Sequence, residues 1–305
     1  MAGPFTHMLL CQRAADPTIA EQYGVQYSPD WLKLINSQQC FLLLGSVTPD
    51  IPAISDQILG QSWSDQMHNG RLNRAVVPIF STLKQSKFRD ARLAWLFGYV
   101  GHIVGDVVIH PVVGLAKERR GGASSLHRQC EICQDSLLFK DLQSYDLTSA
   151  DYLGWMRETT SDRNAAMFNE TMTLWQDGLN QSGAGAGVNC LEWYVTYSAG
   201  FEVAANLSRL AINGYVYPKA TDISPADRAD FYDSVVLPVP AGTQASFPAV
   251  VFDLALRRLT KIWQQMWTCL NDGQPGGIDA LIPDWDLNTG KNRGTNLDDD
   301  LWGAP

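Results

Sequence analysis

Residues 93–116 read LAWLFGYVGHIVGDVVIHPVVGLA, the most apolar run in the chain, and three ionisable side chains sit inside it: His102, Asp106 and His110. Their spacing is i, i+4, i+8. In an α-helix four residues advance about 400°, so successive members drift by only about 40° and share one stripe. The pattern predicts a buried helix that begins near Phe88 or Asp90. Gly98, Gly101 and Gly105 lie on the same run. Each costs about 1 kcal/mol of helix stability relative to alanine, which points to the close approach of another backbone or of a bulky ligand. Pro111 favours ending the helix beside His110. Two readings of the stripe stand at this point. Its polar groups pair with one another inside a core, or they bind metal, since three polar groups on one buried face are costly unless paired or coordinated.

The remainder of the composition narrows the choice. A chain of 305 residues that is 45% hydrophobic can build a sizeable core as one or two domains. Its net charge of −9 disfavours a non-specific nucleic-acid binder. It leaves room for phosphodiester cleavage where metal ions supply positive charge locally. The opening MAGPFTHMLLCQRAADP has neither a basic start nor a long apolar core, so no signal peptide is expected. The expected location is therefore the cytoplasm, or outside the cell by a signal-independent route. Residues 93–116 have the length of a membrane span, but the polar stripe and the glycines argue for a core helix, and no transmembrane segment is expected. Cys130 and Cys133 form a lone CxxC with no second pair at zinc-finger spacing, and read as packing residues in a reducing environment.

Helical patterns dominate the chain. Residues 5–14 read as a short helix with His7 in its first turn. Ser28-Pro29-Asp30 is a helix start, and the helix it opens is expected to end at Gly45. In GSVTPDIPAISDQ, Pro49 and Pro52 flank Asp50 and predict a stiff loop. QSWSDQMHNG reads as a polar loop carrying His68, followed by a helix over 71–88 with a kink at Pro78. Ser124 or Ser125 caps the next helix, on which His127, Glu131 and Asp135 repeat the i, i+4, i+8 spacing. Further helices are expected at 148–158, 162–180, 190–213 and 245–271, with a flexible loop at 182–187 and a short helix at 225–233. Residues 283–305 lack periodicity and read as an extended tail whose acidic run, 298–300, is a solvated end rather than a calcium site. The expected fold is all-α: a multi-helical domain over 1–282 and a C-terminal tail over 283–305.

The candidate ligands are then His7, Asp50, His68, His102, Asp106, His110, His127 and Glu131, and they use every histidine in the chain. Imidazole with carboxylate and no thiolate suits zinc or another first-row metal. Eight ligands exceed the need of one tetrahedral ion, and two or three ions sharing a carboxylate fit better. Clusters of this kind serve phosphoester hydrolysis.

In these residues the chain resembles the zinc-dependent phospholipase C family. The likeness rests on the GPFTH opening, the GSVTPDIP and DQMHNG loops, the GHIVGDVVIHP helix and the HRQCE helix, taken in that order over residues 1–215. The His-x3-Asp-x3-His spacing looks most like the phospholipase C-like domain of glycosylphosphatidylinositol-specific phospholipase D. The resemblance implies an all-α fold and two or three Zn2+ ions. Asp50, His68, His102 and Asp106 would hold the first, His110, His127 and Glu131 the second, and His7 with the bridging Asp106 the third. In the secreted bacterial members an N-terminal Trp completes that third site; this chain begins Met-Ala-Gly-Pro and departs there. The resemblance further implies a phospholipid or other phosphodiester substrate, peripheral contact with a membrane, and Asp50 as general base or orienting group. Two alternatives stay open: a single-strand nuclease or nucleotidase on the same fold, with Phe5, Trp63 or Trp155 stacking a base, and a metal-stabilised binding protein without turnover.

Overall fold

The computed structural model describes residues 3–53, 63–83, 87–183, 188–206, 211–212, 215–273, 277–294, 297–298 and 302. The fold is all-α, and its helices surround a single long central one. Four helices lead in: α1 (Pro4–Ala14), α2 (Pro17–Gln22), α3 (Pro29–Ser37) and α4 (Gln39–Val47). Then come α5 (Trp63–Gln66), a wide π turn (Met67–Arg71) and α6 (Leu72–Thr82). The central helix is α7 (Arg89–Arg119), followed by α8 (Ser124–Gln143), α9 (Tyr152–Thr160), α10 (Ala165–Gln181) and α11 (Cys190–Asn206). A short α12 (Pro225–Arg228), a long α13 (Asp253–Asp272) and α14 (Gly277–Leu281) complete the set. The described strands are two-residue antiparallel pairs, and the last three form a small meander: β1 (Trp285–Asp286), β2 (Lys291–Asn292) and β3 (Leu297–Asp298).

Local chemistry sets several of these starts. Pro17 and Pro29 each stand at a first helical position, where the missing N–H costs nothing. Asp16 and Ser28 cap the same helices by accepting from Thr18 N and Trp31 N. Helix α7 is the one described helix long and apolar enough to cross a membrane, yet 94% of its most apolar window is buried inside the protein. Its core neighbours include a knot of Trp31, Phe97 and Trp263, with Trp263 Nε1 donating to Phe97 O at 2.9 Å.

The glycines explain how α7 is packed. A Cβ on Gly98 would collide with Leu42 O, and one on Gly45 with Trp95 O, so the α4 and α7 backbones touch through a pair of facing glycines. Gly45 therefore lies inside α4 rather than capping it, because its use is close packing and not a left-handed turn. Gly101 makes room for Cys11, and a Cβ on Gly105 would lie 2.9 Å from His7 Nδ1.

Three further expectations are corrected. Helix α7 does not end at Pro111 but runs on to Arg119. Proline removes one hydrogen bond and clashes with the carbonyl four residues back, and the packed surroundings tolerate that single defect. His68 is not in a loop: the π turn joins α5 and α6 into a nearly continuous helical stretch. Asp50 ends a short 3-10 turn (Thr48–Asp50) that continues directly from α4, still buried. The segment after residue 282 carries the three short strands, and Trp285 and Leu287 are buried against the body. Most of the predicted 182–187 loop lies outside the described residues.

Candidate metal centre

Helix α7 presents His102, Asp106 and His110 on one stripe, and four other segments converge on it. Asp106 is the hub. Its Oδ2 faces His102 Nε2 at 3.1 Å and His68 Nε2 at 3.3 Å, while its Oδ1 faces His7 Nε2 at 3.2 Å and His110 Nε2 at 3.4 Å. Asp50 Oδ1 lies 3.4 Å from His68 Nε2 and 3.7 Å from His102 Nε2. On α8, His127 Nε2 meets Glu131 Oε1 at 2.9 Å, and the His127 ring lies edge-on to His110 at 5.5 Å. The His7 ring stacks on His102 at 3.8 Å.

Three ligand sets emerge from these distances: Asp50, His68 and His102; His7, His102 and Asp106; and His110, His127 and Glu131. In each, the ligand atoms lie within 4.8 Å of one another, close enough for a shared ion. The structure thus brings together all eight residues singled out in the sequence. The His110, His127 and Glu131 set is the one the resemblance implies, and the Asp50, His68 and His102 set is its implied partner without Asp106. The third adds His102 to His7 and Asp106. Any contribution from residues 1 and 2 to that set lies outside the described residues.

The donor chemistry fits metal. His7, His110 and Asp50 keep buried ligand atoms, among them both ring nitrogens of His110, that make no hydrogen bond. Such groups are costly unless something else satisfies them. Two imidazoles are aimed by backbone carbonyls: His68 Nδ1 at Ser64 O, 2.7 Å away, and His102 Nδ1 at Ser46 O, 2.9 Å away. These contacts leave both Nε2 atoms pointing at the cluster, the outer-shell arrangement typical of metal-bound histidine. Sequence reasoning had no signal for the two serines, which aim the imidazoles through their backbone carbonyls.

The electrostatics match a site built around positive charge. Burial pulls the His7 imidazole below its ordinary range, and the neighbouring His102 adds to this against the pull of Asp106. Burial also pulls on His68, but Asp106 and Asp50 outweigh it and raise that imidazole to about 10. Burial opposes ionisation of Asp106, yet the surrounding histidines, His102 and His7 first, hold it well below the usual carboxylate range.

Asp135 does not extend the ligand stripe of α8. Its Oδ1 accepts from Thr6 N at 2.7 Å and Thr6 Oγ1 at 2.6 Å, and its Oδ2 accepts from Tyr217 OH at 2.9 Å. It pins the first turn of α1 and so places His7. Cys130 and Cys133 are free and buried, and burial pushes the Cys133 thiol up to about 12, as expected of packing residues.

A family model for zinc-dependent phospholipase C matches residues 6–182, a span that contains all eight of these side chains. No curated protein and no solved structure matches the chain.

Proposed function

The chain belongs to the zinc-dependent phospholipase C family, and from that premise we propose that it hydrolyses the phosphodiester of a phospholipid, releasing diacylglycerol and a phosphorylated head group. The observation that carries this reading is the convergence of five imidazoles and three carboxylates on Asp106 and its stripe. The family and these clusters together support zinc-dependent phosphodiester chemistry. We assign His7, Asp50, His68, His102, Asp106, His110, His127 and Glu131 as the metal ligands, with Asp106 shared. Zinc held there supplies Lewis acidity for the phosphoryl oxygens and acidifies water at neutral pH.

The chain's own groups have distinct tasks in this scheme. Asp50 Oδ1 accepts no hydrogen bond and stands beside His68 and His102. It is placed to orient the attacking water and take its proton. Ser46 O and Ser64 O hold two imidazoles in the tautomer with Nε2 free. His127, about one-third exposed, marks the open edge through which substrate enters.

A lipid is favoured over a nucleic acid by the family, and the rings expected to stack a base are only in part available. Phe5 is sealed in the core, edge-on to Phe139 and Tyr217, and Trp63 leans on Trp193. Phe5 is therefore no stacking platform, whereas Trp63 stays half-buried. Trp155 lines an apolar slot with Met8, Leu44, Val47, Tyr194 and Tyr197. Met8 follows His7 in sequence, and Val47 follows Ser46, so the slot lies beside two segments that build the centre. It opens into a cleft of about 480 Å³ with polar walls. The slot itself holds only about 20 Å³, so it favours neither an acyl chain nor a base, and the lipid reading rests on the family.

The test pairs zinc analysis with product analysis. The zinc-loaded protein is expected to release phosphorylated head groups from phosphatidylcholine, phosphatidylethanolamine or phosphatidylinositol vesicles, and to leave single-stranded DNA and RNA intact. Nuclease activity without lipid cleavage overturns the lipid reading. Bound zinc with no turnover of either substrate supports the binding-protein alternative.

A further inference from the structure

The candidate metal ligands end at residue 131, yet residues 284–293 lie against the two helical stretches that carry His68 and His110. They dock where regular helical hydrogen bonding is broken. The first place is the π turn Met67–Arg71, which widens the helix at His68. There Leu287 N donates to His68 O at 3.1 Å, Arg293 Nη2 donates to Asn69 Oδ1 at 3.2 Å, and Asn73 Nδ2 donates to Trp285 O at 2.8 Å. The second place is Pro111. It has no N–H, so Val107 O loses its helical donor. Gly290, with φ +68°, covers that gap so closely that a Cβ would lie 2.6 Å from Val107 O and 2.7 Å from Pro111 Cγ. Val107 follows Asp106, and Pro111 follows His110.

We propose that residues 284–293 are a strap that sets the metal affinity of the centre by fixing the π turn of His68 against the Asp106–His110 stripe, with Gly290 and Arg293 as its positioning residues. This rests on the metal-centre reading above. The physical argument is one of preorganisation. Two helices, one π-wound at its candidate ligand and the other proline-broken beside its own, are softer there than regular ones, and metal binding gains when ligands are held in place beforehand. One short segment touches both soft points. Leu287 is fully buried, and a side chain on Gly290 would have to displace backbone and proline ring alike. Arg293 also pairs with Asp286 at 3.2 Å, which ties the strap's own two ends.

The experiment is a zinc competition titration against a chelator, with the rate of zinc extraction, on full-length wild type, Gly290→Ala, Arg293→Ala and Asn73→Ala. Arg257→Ala serves as control, because Arg257 makes a comparable surface pair with Asp253 far from the strap. All are measured well below the melting temperature of the metal-free protein, with helical content checked. The strap variants are expected to lose about 10–100-fold in zinc affinity and to release zinc faster, while the control matches wild type. A purely structural role would lower the metal-free melting temperature and leave zinc affinity unchanged, and that result overturns the proposal. Arg293→Ala and Asn73→Ala keep the test decisive if Gly290→Ala fails to fold. A wild type that binds no zinc removes the metal-centre reading and the strap with it; a wild type that binds zinc, alongside strap variants that bind it as tightly, removes the strap alone.

Discussion

The two ends of the ligand stripe on α7 are built differently. At the inner end His68, His102, Asp50 and Asp106 are all at most 2% exposed, and two of the imidazoles are aimed by carbonyl oxygens. At the outer end His110 and Glu131 are as buried, at 1% exposed, but His110 makes no hydrogen bond through either ring nitrogen and His127 stands about one-third exposed. Rigid, desolvated ligands favour tight retention of an ion, whereas a partly wet site with adaptable ligands favours exchange and access. On the function proposed above, the inner end is the better built to hold metal and the outer end to meet substrate.

The largest effect is expected where both ends meet. Asp106→Ala removes the carboxylate that four imidazoles share and leaves a protonated His68 without its main partner. Breaking a buried charge cluster by deleting one partner costs about 3–5 kcal/mol. Zinc content measured by elemental analysis should fall at both ends, and hydrolysis should drop by at least about 10⁴-fold, toward background. Full zinc occupancy in Asp106→Ala would refute the shared-hub geometry. Next comes Asp50→Asn, which keeps size and burial but loses the base. Hydrolysis should fall by about 10²–10⁴-fold while circular dichroism and zinc at the outer end stay near wild type. His127→Ala sharpens the contrast from the other side: zinc should leave the outer set and persist at the inner one.

The same contrast predicts a pH signature. In the metal-free protein the folded state holds the His68 proton up to about 10, above the ordinary 6.5. That contribution to stability is complete below 6.5 and is lost as pH rises toward 10. Zinc must displace this proton to bind Nε2. Affinity at the inner end should therefore increase between pH 6.5 and 9, with close to one proton released per ion. Calorimetry in two buffers of different ionisation enthalpy reads the proton directly, and zero release would show that His68 is neutral before metal arrives.

How far the sequence revealed all this follows from what each residue needs. The candidate cluster was legible because i, i+4, i+8 spacing of ionisable groups in an apolar run asks for partners, and because only five histidines had to be placed. The all-α fold was legible from periodicity. The errors occurred where tertiary packing overrides a local rule. Gly45 reads as a cap until its partner Gly98 is known. Pro111 reads as a stop until the segment covering Val107 O is known. QSWSDQMHNG reads as a polar loop, yet from Trp63 the chain there winds as a helix that widens at Met67–Arg71. The carbonyls of Ser46 and Ser64 were illegible in principle, since backbone groups carry no sequence identity. The strap lacked periodicity because its order comes from docking onto helices more than 150 residues earlier in the chain, such as Leu287 onto His68.

The smallest predicted effect also separates the two ends of α7. Gly98, Gly101 and Gly105, on the inner half, each have an atom of another segment where a Cβ would stand. Alanine there must push apart α4, α1 or the His7 ring, so these glycines are needed despite their cost to the helix. Gly114, beyond the outer ligand, has nothing within 4 Å of its Cβ position. It carries the helix penalty with no packing return. Gly114→Ala should therefore stabilise the protein by about 0.5–1 kcal/mol, seen as a rise of about 2 °C in melting temperature, with zinc content unchanged. The opposite sign at Gly98→Ala, measured in the same assay, would confirm that packing alone distinguishes the two halves. A Gly114→Ala variant that lost stability would mean that the outer end is as tightly enclosed as the inner one, and the assignment of substrate access to that end would fail with it.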